Sequence, residues 1–423
     1  MKIKKALCAY EPERFKNAFG FKGNILSGVW QTVAYLCDGC DFGIGLGVQS
    51  VLWSDSRVFA AYGEEQSNKL MFDVTKFVLK YIEGAEFATP QEMTKSIFKK
   101  VYGYAREITG MPISETFVLN SLVPVDFAAW SLYCKERNIN DFDEIYKGTH
   151  KSEMLANIPL ITYNTPVSEA ISMARDGVCI FKIKIGSDPN GDGNHDKMIE
   201  WDKKRACEIH EALKSVETEY TKSGKIVYYF DANGRYDTKD RLWQFIEHID
   251  QKGILAQTVL FEEPFAQENE IYVGDMPICF AADESAHSLN DVKKRIDLGY
   301  RAITLKPIAK TLSVTIDMAQ CCEKAGVGCF CADLTVNPVM VEWNKNFAAR
   351  LEPPQGMRIG VVESNGAQNY INWEKMKGYM PFEENGDSGA LYNLKDGFYK
   401  NAGGIFMTPM HYYNLVKRQN DMQ

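Results

Sequence analysis

The run Val178-Cys179-Ile180-Phe181-Lys182-Ile183-Lys184-Ile185-Gly186 sets two lysines among residues that favour a strand. Alternate side chains of a strand share a face, so Lys182 and Lys184 point one way while Phe181, Ile183 and Ile185 point the other. A solvated face would explain that alternation taken alone. Three acidic clusters follow it, however, each at the end of its own predicted strand: Phe230-Asp231-Ala232-Asn233, Leu260-Phe261-Glu262-Glu263-Pro264 and Ala281-Ala282-Asp283-Glu284-Ser285. A further lysine closes Ile303-Thr304-Leu305-Lys306-Pro307.

Outward from that run, strands and helices alternate. Strands are expected at 158–163, 178–185, 225–230, 258–262, 277–282, 302–305, 328–331 and 357–362, nearly all followed by a helical pattern. Interleaving of this kind implies a parallel sheet, and eight strands imply an α/β fold of the closed (β/α)8 type, a TIM-type barrel. The reactive face of such a barrel is the one formed by the strand C-termini, where the lysines and acids fall. Before it, residues 28–36 and 42–48 read as paired strands joined by a turn, and helical patterns cover 74–82, 90–107 and 125–137. Gly43, Gly45 and Gly47 alternate, which is the spacing of close strand packing and not of a dinucleotide fingerprint. The expected division is an N-terminal α+β capping domain (1–125), the catalytic barrel (126–370), and a C-terminal segment (371–423) packing back on the cap.

Composition narrows the function. The chain of 423 residues has a net charge of −8 and no basic stripe, which argues against nucleic acid as a partner. No uninterrupted apolar run is long enough for a membrane span. The 11 cysteines are odd in number and mostly lie in apolar stretches, as expected of free thiols in a reducing cytoplasm. Cys37-Asp38-Gly39-Cys40 has zinc-ligand spacing without a second pair, and a turn is expected there. Residues 187–196 resemble the start of a calcium loop, but the closing acid is displaced, and a solvated turn is expected.

Asp231, Glu262 and Asp283 are hard oxygen ligands from three adjacent strand ends, suited to one Mg2+ ion. Without a cation they would repel one another. Lys184 and Lys306 should face each other across that ion. Lys182, as a neighbouring cation, would help lower the pKa of Lys184 towards that of a base. A carboxylate substrate bound to the metal would have an acidified α-proton, which one lysine removes and the other returns to the opposite face.

These motifs resemble the enolase superfamily, specifically the mandelate racemase/muconate-lactonising enzyme branch that also holds dipeptide epimerases and o-succinylbenzoate synthases. Lys182-Ile183-Lys184 is similar to the family's lysine-x-lysine motif, whose second lysine is a base beside Mg2+. The resemblance implies metal ligands at Asp231, Glu262 and Asp283, supporting roles for Asn233 and Glu284, and an opposing base at Lys306. It makes residues 1–125 a cap whose loops close over the substrate, with Phe21, Trp30, Trp53 and Glu363 as candidate substrate contacts, and by analogy it implies a homo-oligomer. Two departures matter. The seventh strand reads Cys329-Phe330-Cys331-Ala332-Asp333, without the histidine of mandelate-racemase-like members and many acid-sugar dehydratases. The eighth reads Val362-Glu363-Ser364-Asn365-Gly366, without the aspartate-x-aspartate of dipeptide epimerases, which argues against a dipeptide substrate. The expected reaction is racemisation or epimerisation of a small-molecule carboxylate. The alternatives are β-elimination or cycloisomerisation at the same site, making the enzyme a lyase or cycloisomerase, and a carboxylate-binding protein without turnover.

Overall fold

The computed structural model describes residues 1–21, 24–381, 389–394 and 405–421, with the side chains of 19–21 and 24 outside that description. Strands β1 (Lys5–Phe21), β2 (Asn24–Cys37) and β3 (Phe42–Gln49) form an antiparallel sheet in that order. Helices α1 (Val51–Ser54), α2 (Ser56–Ile82), α3 (Pro90–Thr109) and α4 (Glu115–Arg137) follow. The alternating glycines of β3 serve close packing, as the sequence predicts. A Cβ at Gly45 would sit 2.0 Å from the Pro124 carbonyl oxygen and 2.1 Å from the Ala128 nitrogen, so strand and helix backbones touch. Helix α3 opens on a capping box: Thr89 Oγ1 accepts from Glu92 N at 3.1 Å, and Glu92 Oε2 from Ala88 N at 2.7 Å. Helix α4 is the one described helix long and apolar enough to cross a membrane, and 89% of that stretch is buried inside the protein. It runs unbroken through residues 125 and 126. There Asp126 accepts from Thr94 Oγ1 of the cap at 2.8 Å and from Ser313 N of the barrel at 3.1 Å.

The second sheet is a closed parallel ring. Its strands are β4 (Met154–Ile158), β5 (Leu160–Ile161), β6 (Ile180–Lys184), β7 (Val227–Asp231), β8 (Thr258–Glu262), β9 (Phe280–Ala282), β10 (Ala302–Leu305), β11 (Gly328–Cys331) and β12 (Gly360–Glu363). From β5 to β12 each neighbours the next, and β12 pairs with β4. β4 and β5 are one stave interrupted at Pro159, which has no N–H for the ladder, although its carbonyl still accepts from Lys182 N at 3.2 Å. Eight staves therefore close the barrel, the first starting at Met154, earlier than the expected residue 158. Helices α5 (Val167–Arg175), α6 (His195–Leu213), α7 (Lys239–Gln251), α8 (Leu289–Asp297), α9 (Pro307–Lys310), α10 (Leu312–Ala325) and α11 (Pro338–Ala348) fill the connections.

The loop at 187–196 satisfies itself: Asp188 accepts from Gly193 N at 2.9 Å, and Asn194 caps α6. The C-terminal segment divides between the two units. Strand β13 (Leu391–Asn393) pairs antiparallel with β4 of the barrel. Helix Met410–Gln419 lies along β1 of the cap, with Gln419 Nε2 donating to Tyr10 O at 2.7 Å and His411 Nε2 lying 3.0 Å from Glu11 Oε1.

Candidate active site

Parallel register puts Lys184 beside Asp231, Asp231 beside Glu262, and Glu262 beside Ala281, two residues before Asp283. Their side chains therefore share the inner face at the C-terminal mouth. Lys182 Nζ lies 3.0 Å from Asp231 Oδ2, 3.3 Å from Glu262 Oε2 and 3.2 Å from Glu363 Oε2. Lys184 Nζ contacts the same Asp231 oxygen and donates to Asn233 Oδ1 at 2.6 Å. Asn233 holds a left-handed turn (φ 44°) and passes its amide on to Glu284 Oε1 at 2.9 Å. Across the barrel, Lys306 meets Asp283 Oδ2 and lies 4.6 Å from the centre of the Trp53 ring.

The electrostatics follow from burial. Burial alone would lower Lys182, yet Asp231, Glu262 and Glu363 around it raise it well above the ordinary lysine value. The same contest ends the same way at Lys306, where Asp283 is the chief opposing charge. Glu262, wholly buried and next to Asp283, is pushed up to about 8 despite Lys182. Asp231 resists burial because Lys182 and Lys184 hold it at about 2.

Lys182, Lys184, Asp231, Asn233, Asp283, Lys306, Glu363 and Trp53 line one cleft, so the structure brings these sequence candidates together. Glu262 sits beneath Lys182. Trp30 is a correction: it stacks on Tyr10 at 3.9 Å and packs against Phe72 under α2. Its neighbour Val29 faces the cleft instead, because adjacent residues of β2 face opposite ways. The side chain of Phe21 lies outside the described residues.

The acids brought within reach of one cation also differ from the sequence set. Oxygens of Glu262, Asp283 and Glu284 lie within 4.8 Å of one another. Asp231 is outside that group; its Oδ2 meets both β6 lysines, and its Oδ1 accepts from Asn233 N at 2.9 Å. Three carboxylates and no nitrogen or sulfur form a donor set that suits a hard divalent ion such as Mg2+.

Sequence reasoning missed three supports. Lys310 is fully buried and donates to Asp283 O at 2.7 Å and Asp283 Oδ1 at 3.1 Å. Glu263 Oε2 accepts from Asp283 N at 2.7 Å and Ser285 Oγ at 3.0 Å, fixing that strand end. Asp333 lines the cleft after β11 and accepts from Asn365 N at 2.8 Å. It carries the same strand-end signal as Asp231 and could have been found by it.

An eight-staved barrel with an α+β cap is a fold this chain shares with solved structures that include a member of the enolase superfamily from Listeria innocua. Solved structures with this fold include a mandelate racemase/muconate lactonizing protein from Herpetosiphon aurantiacus, 16% identical over 93% of this chain and 95% of that one, with a TM-score of 0.67. A dipeptide epimerase from Enterococcus faecalis V583, complexed with Mg and the dipeptide L-Leu-L-Tyr, is 16% identical over 94% and 98%, with a TM-score of 0.66. An N-succinyl Arg/Lys racemase from Bacillus cereus ATCC 14579 is 16% identical over 88% and 89%, with a TM-score of 0.64. No family model and no curated protein sequence matches the chain.

Proposed function

We propose that this chain is a Mg2+-dependent enzyme that removes the α-proton of a small-molecule carboxylate and returns it to the other face, a racemase or epimerase. One observation carries the reading. Lys184 ends β6 and Lys306 follows β10, four steps apart in an eight-membered ring, so the two amines flank one cleft with the acidic strand ends between them. A racemase needs a proton acceptor on one face and a donor on the other. Lys306, raised above the ordinary lysine value beside Asp283, suits the ammonium form required of the donor. Lys184 is then the acceptor, Lys182 counters charge on Asp231, Glu262 and Glu363, and Asn233 orients Lys184. Glu262, Asp283 and Glu284, with Asp231 adjacent, would hold the metal. A bound Mg2+ would supply positive charge beside the substrate carboxylate as its α-carbon loses the proton. Trp53, over Lys306, and Glu363 are the substrate-side contacts in this reading. The free state of all 11 cysteines supports a reducing compartment, and we assign the protein to the cytoplasm.

The test is solvent deuterium incorporation at the α-position of a carboxylate library with Mg2+ present. Exchange with inversion supports the reading. Loss of water or ring closure would instead assign an elimination or a cycloisomerisation, and no exchange at all would leave a binding protein.

A further inference from the structure

The side of the cleft supplied by the cap is apolar. Phe15, Leu26 and Val29 come from the β1–β2 hairpin and Leu52 and Trp53 from α1; all five are buried and line the cavity. Among the described residues, Ser50 is the cap's one polar contribution to that lining, and no charged side chain of the cap reaches it.

This wall is pinned in place. The Phe15 ring packs on Tyr370 at 5.3 Å between centroids, and the Tyr370 hydroxyl accepts from Gln31 Nε2 at 2.8 Å. Gln31 Oε1 accepts in turn from Asn337 Nδ2 at 2.9 Å. On either side of Phe15, Ile371 N donates to Arg14 O at 3.2 Å and Lys16 Nζ to Ala367 O at 2.8 Å. The hairpin is thus tied to the segments that follow β11 and β12, and the apolar surface stands ready-made. A charged substituent placed against these apolar side chains would lose its water, and among the described residues no charged side chain of the cap is there to compensate it. An apolar one would gain by leaving water.

We infer that the carboxylate taken by this site carries an uncharged apolar group, aliphatic or aromatic, seated against Phe15, Leu26 and Val29. The inference rests on the proposed placing of the carboxylate at the barrel floor. It is tested by calorimetric binding of N-acetyl-leucine, N-acetyl-phenylalanine, N-acetyl-lysine and N-acetyl-glutamate to the full chain with Mg2+, with α-deuterium exchange read in parallel. The apolar probes should bind at least about 10-fold more tightly than the charged ones. Leu26→Glu should reverse the order of the leucine and lysine probes. Leu26→Gln, neutral and of similar length, should narrow the preference without favouring lysine, and serves if the glutamate variant fails to fold. Equal or tighter binding of the charged probes overturns the inference, as does binding of no apolar probe or an order unmoved by both variants. Apolar preference without exchange leaves the inference standing and removes proton abstraction; exchange on the charged probes does the reverse.

Discussion

The floor of the cleft gathers Lys182, Lys184, Lys306, Asp231, Glu262 and Asp283, whereas the wall above it presents Phe15, Leu26, Val29, Leu52 and Trp53. The floor stands on parallel strands whose register brings Lys184, Asp231 and Glu262 side by side, with Lys182 reaching across to both acids. The wall stands on an antiparallel hairpin and α1 and, among the described residues, presents no charged side chain to the cleft. The two regions divide the work in the proposed reading: the floor handles the carboxylate and its proton, and the wall sorts what is attached. A floor substitution should slow every substrate alike, and a wall substitution should change which substrate is preferred.

The largest effect is expected on the floor. Lys184→Ala should reduce α-deuterium exchange by about 10^2- to 10^4-fold with circular dichroism unchanged, the range for loss of a positioned acid–base group. A variant exchanging at nearly the wild-type rate would remove Lys184 from the role of base.

The next lies at the joint between cap and barrel. Burial pushes the Asp126 carboxyl up to about 6 despite its hydrogen bonds from Ser313 and Thr94. Its folded value is above its unfolded one, so the folded chain holds this proton more tightly. Stability from this group is therefore full below about pH 4 and lost as pH rises through about 6, by roughly 3 kcal/mol. Asp126→Asn should flatten that dependence in melting temperatures measured between pH 4 and 7. An unchanged slope would mean the joint does not titrate.

Smaller again is the support of the wall. Gly45→Ala drives a Cβ into the Pro124 carbonyl and must push β3 off α4, at about 1–3 kcal/mol by urea denaturation. The smallest effect is at the contact between the two regions. Trp53→Leu removes the ring over Lys306, worth about 0.5–2 kcal/mol. It should lower kcat more than it raises KM, whereas a change confined to KM would make Trp53 a wall residue alone.

The floor was legible in the sequence, and of the wall only Trp53 was. Lysines at alternate positions of β6, and acids closing β7, β8 and the stretch after β9, announce themselves because a strand has period two and a barrel reacts at its C-terminal ends. Along β2 the same alternation shows that Val29 and Trp30 face opposite ways, but not which way faces the cleft. Only packing decides that, and it puts Trp30 under α2. The first half of α2 was missed because its exposed, polar residues and Gly63 (φ 73°) blur the helical period. The first stave began unseen at Met154 because Pro159 interrupts it. Glu284 was expected as a support and stands with Glu262 and Asp283, while Asp231 pairs with two lysines; both arrangements depend on side-chain reach across strands and leave no local mark.

The attachment of helix Met410–Gln419 to β1 bears on how the protein is made. A ribosome delivers β1 first and that helix after every stave of the barrel, so the sheet that bears the wall waits for its outer cover. Before those residues emerge, Tyr10 and Glu11 lack the partners that Gln419 and His411 later supply, and the nascent cap must hold together without them.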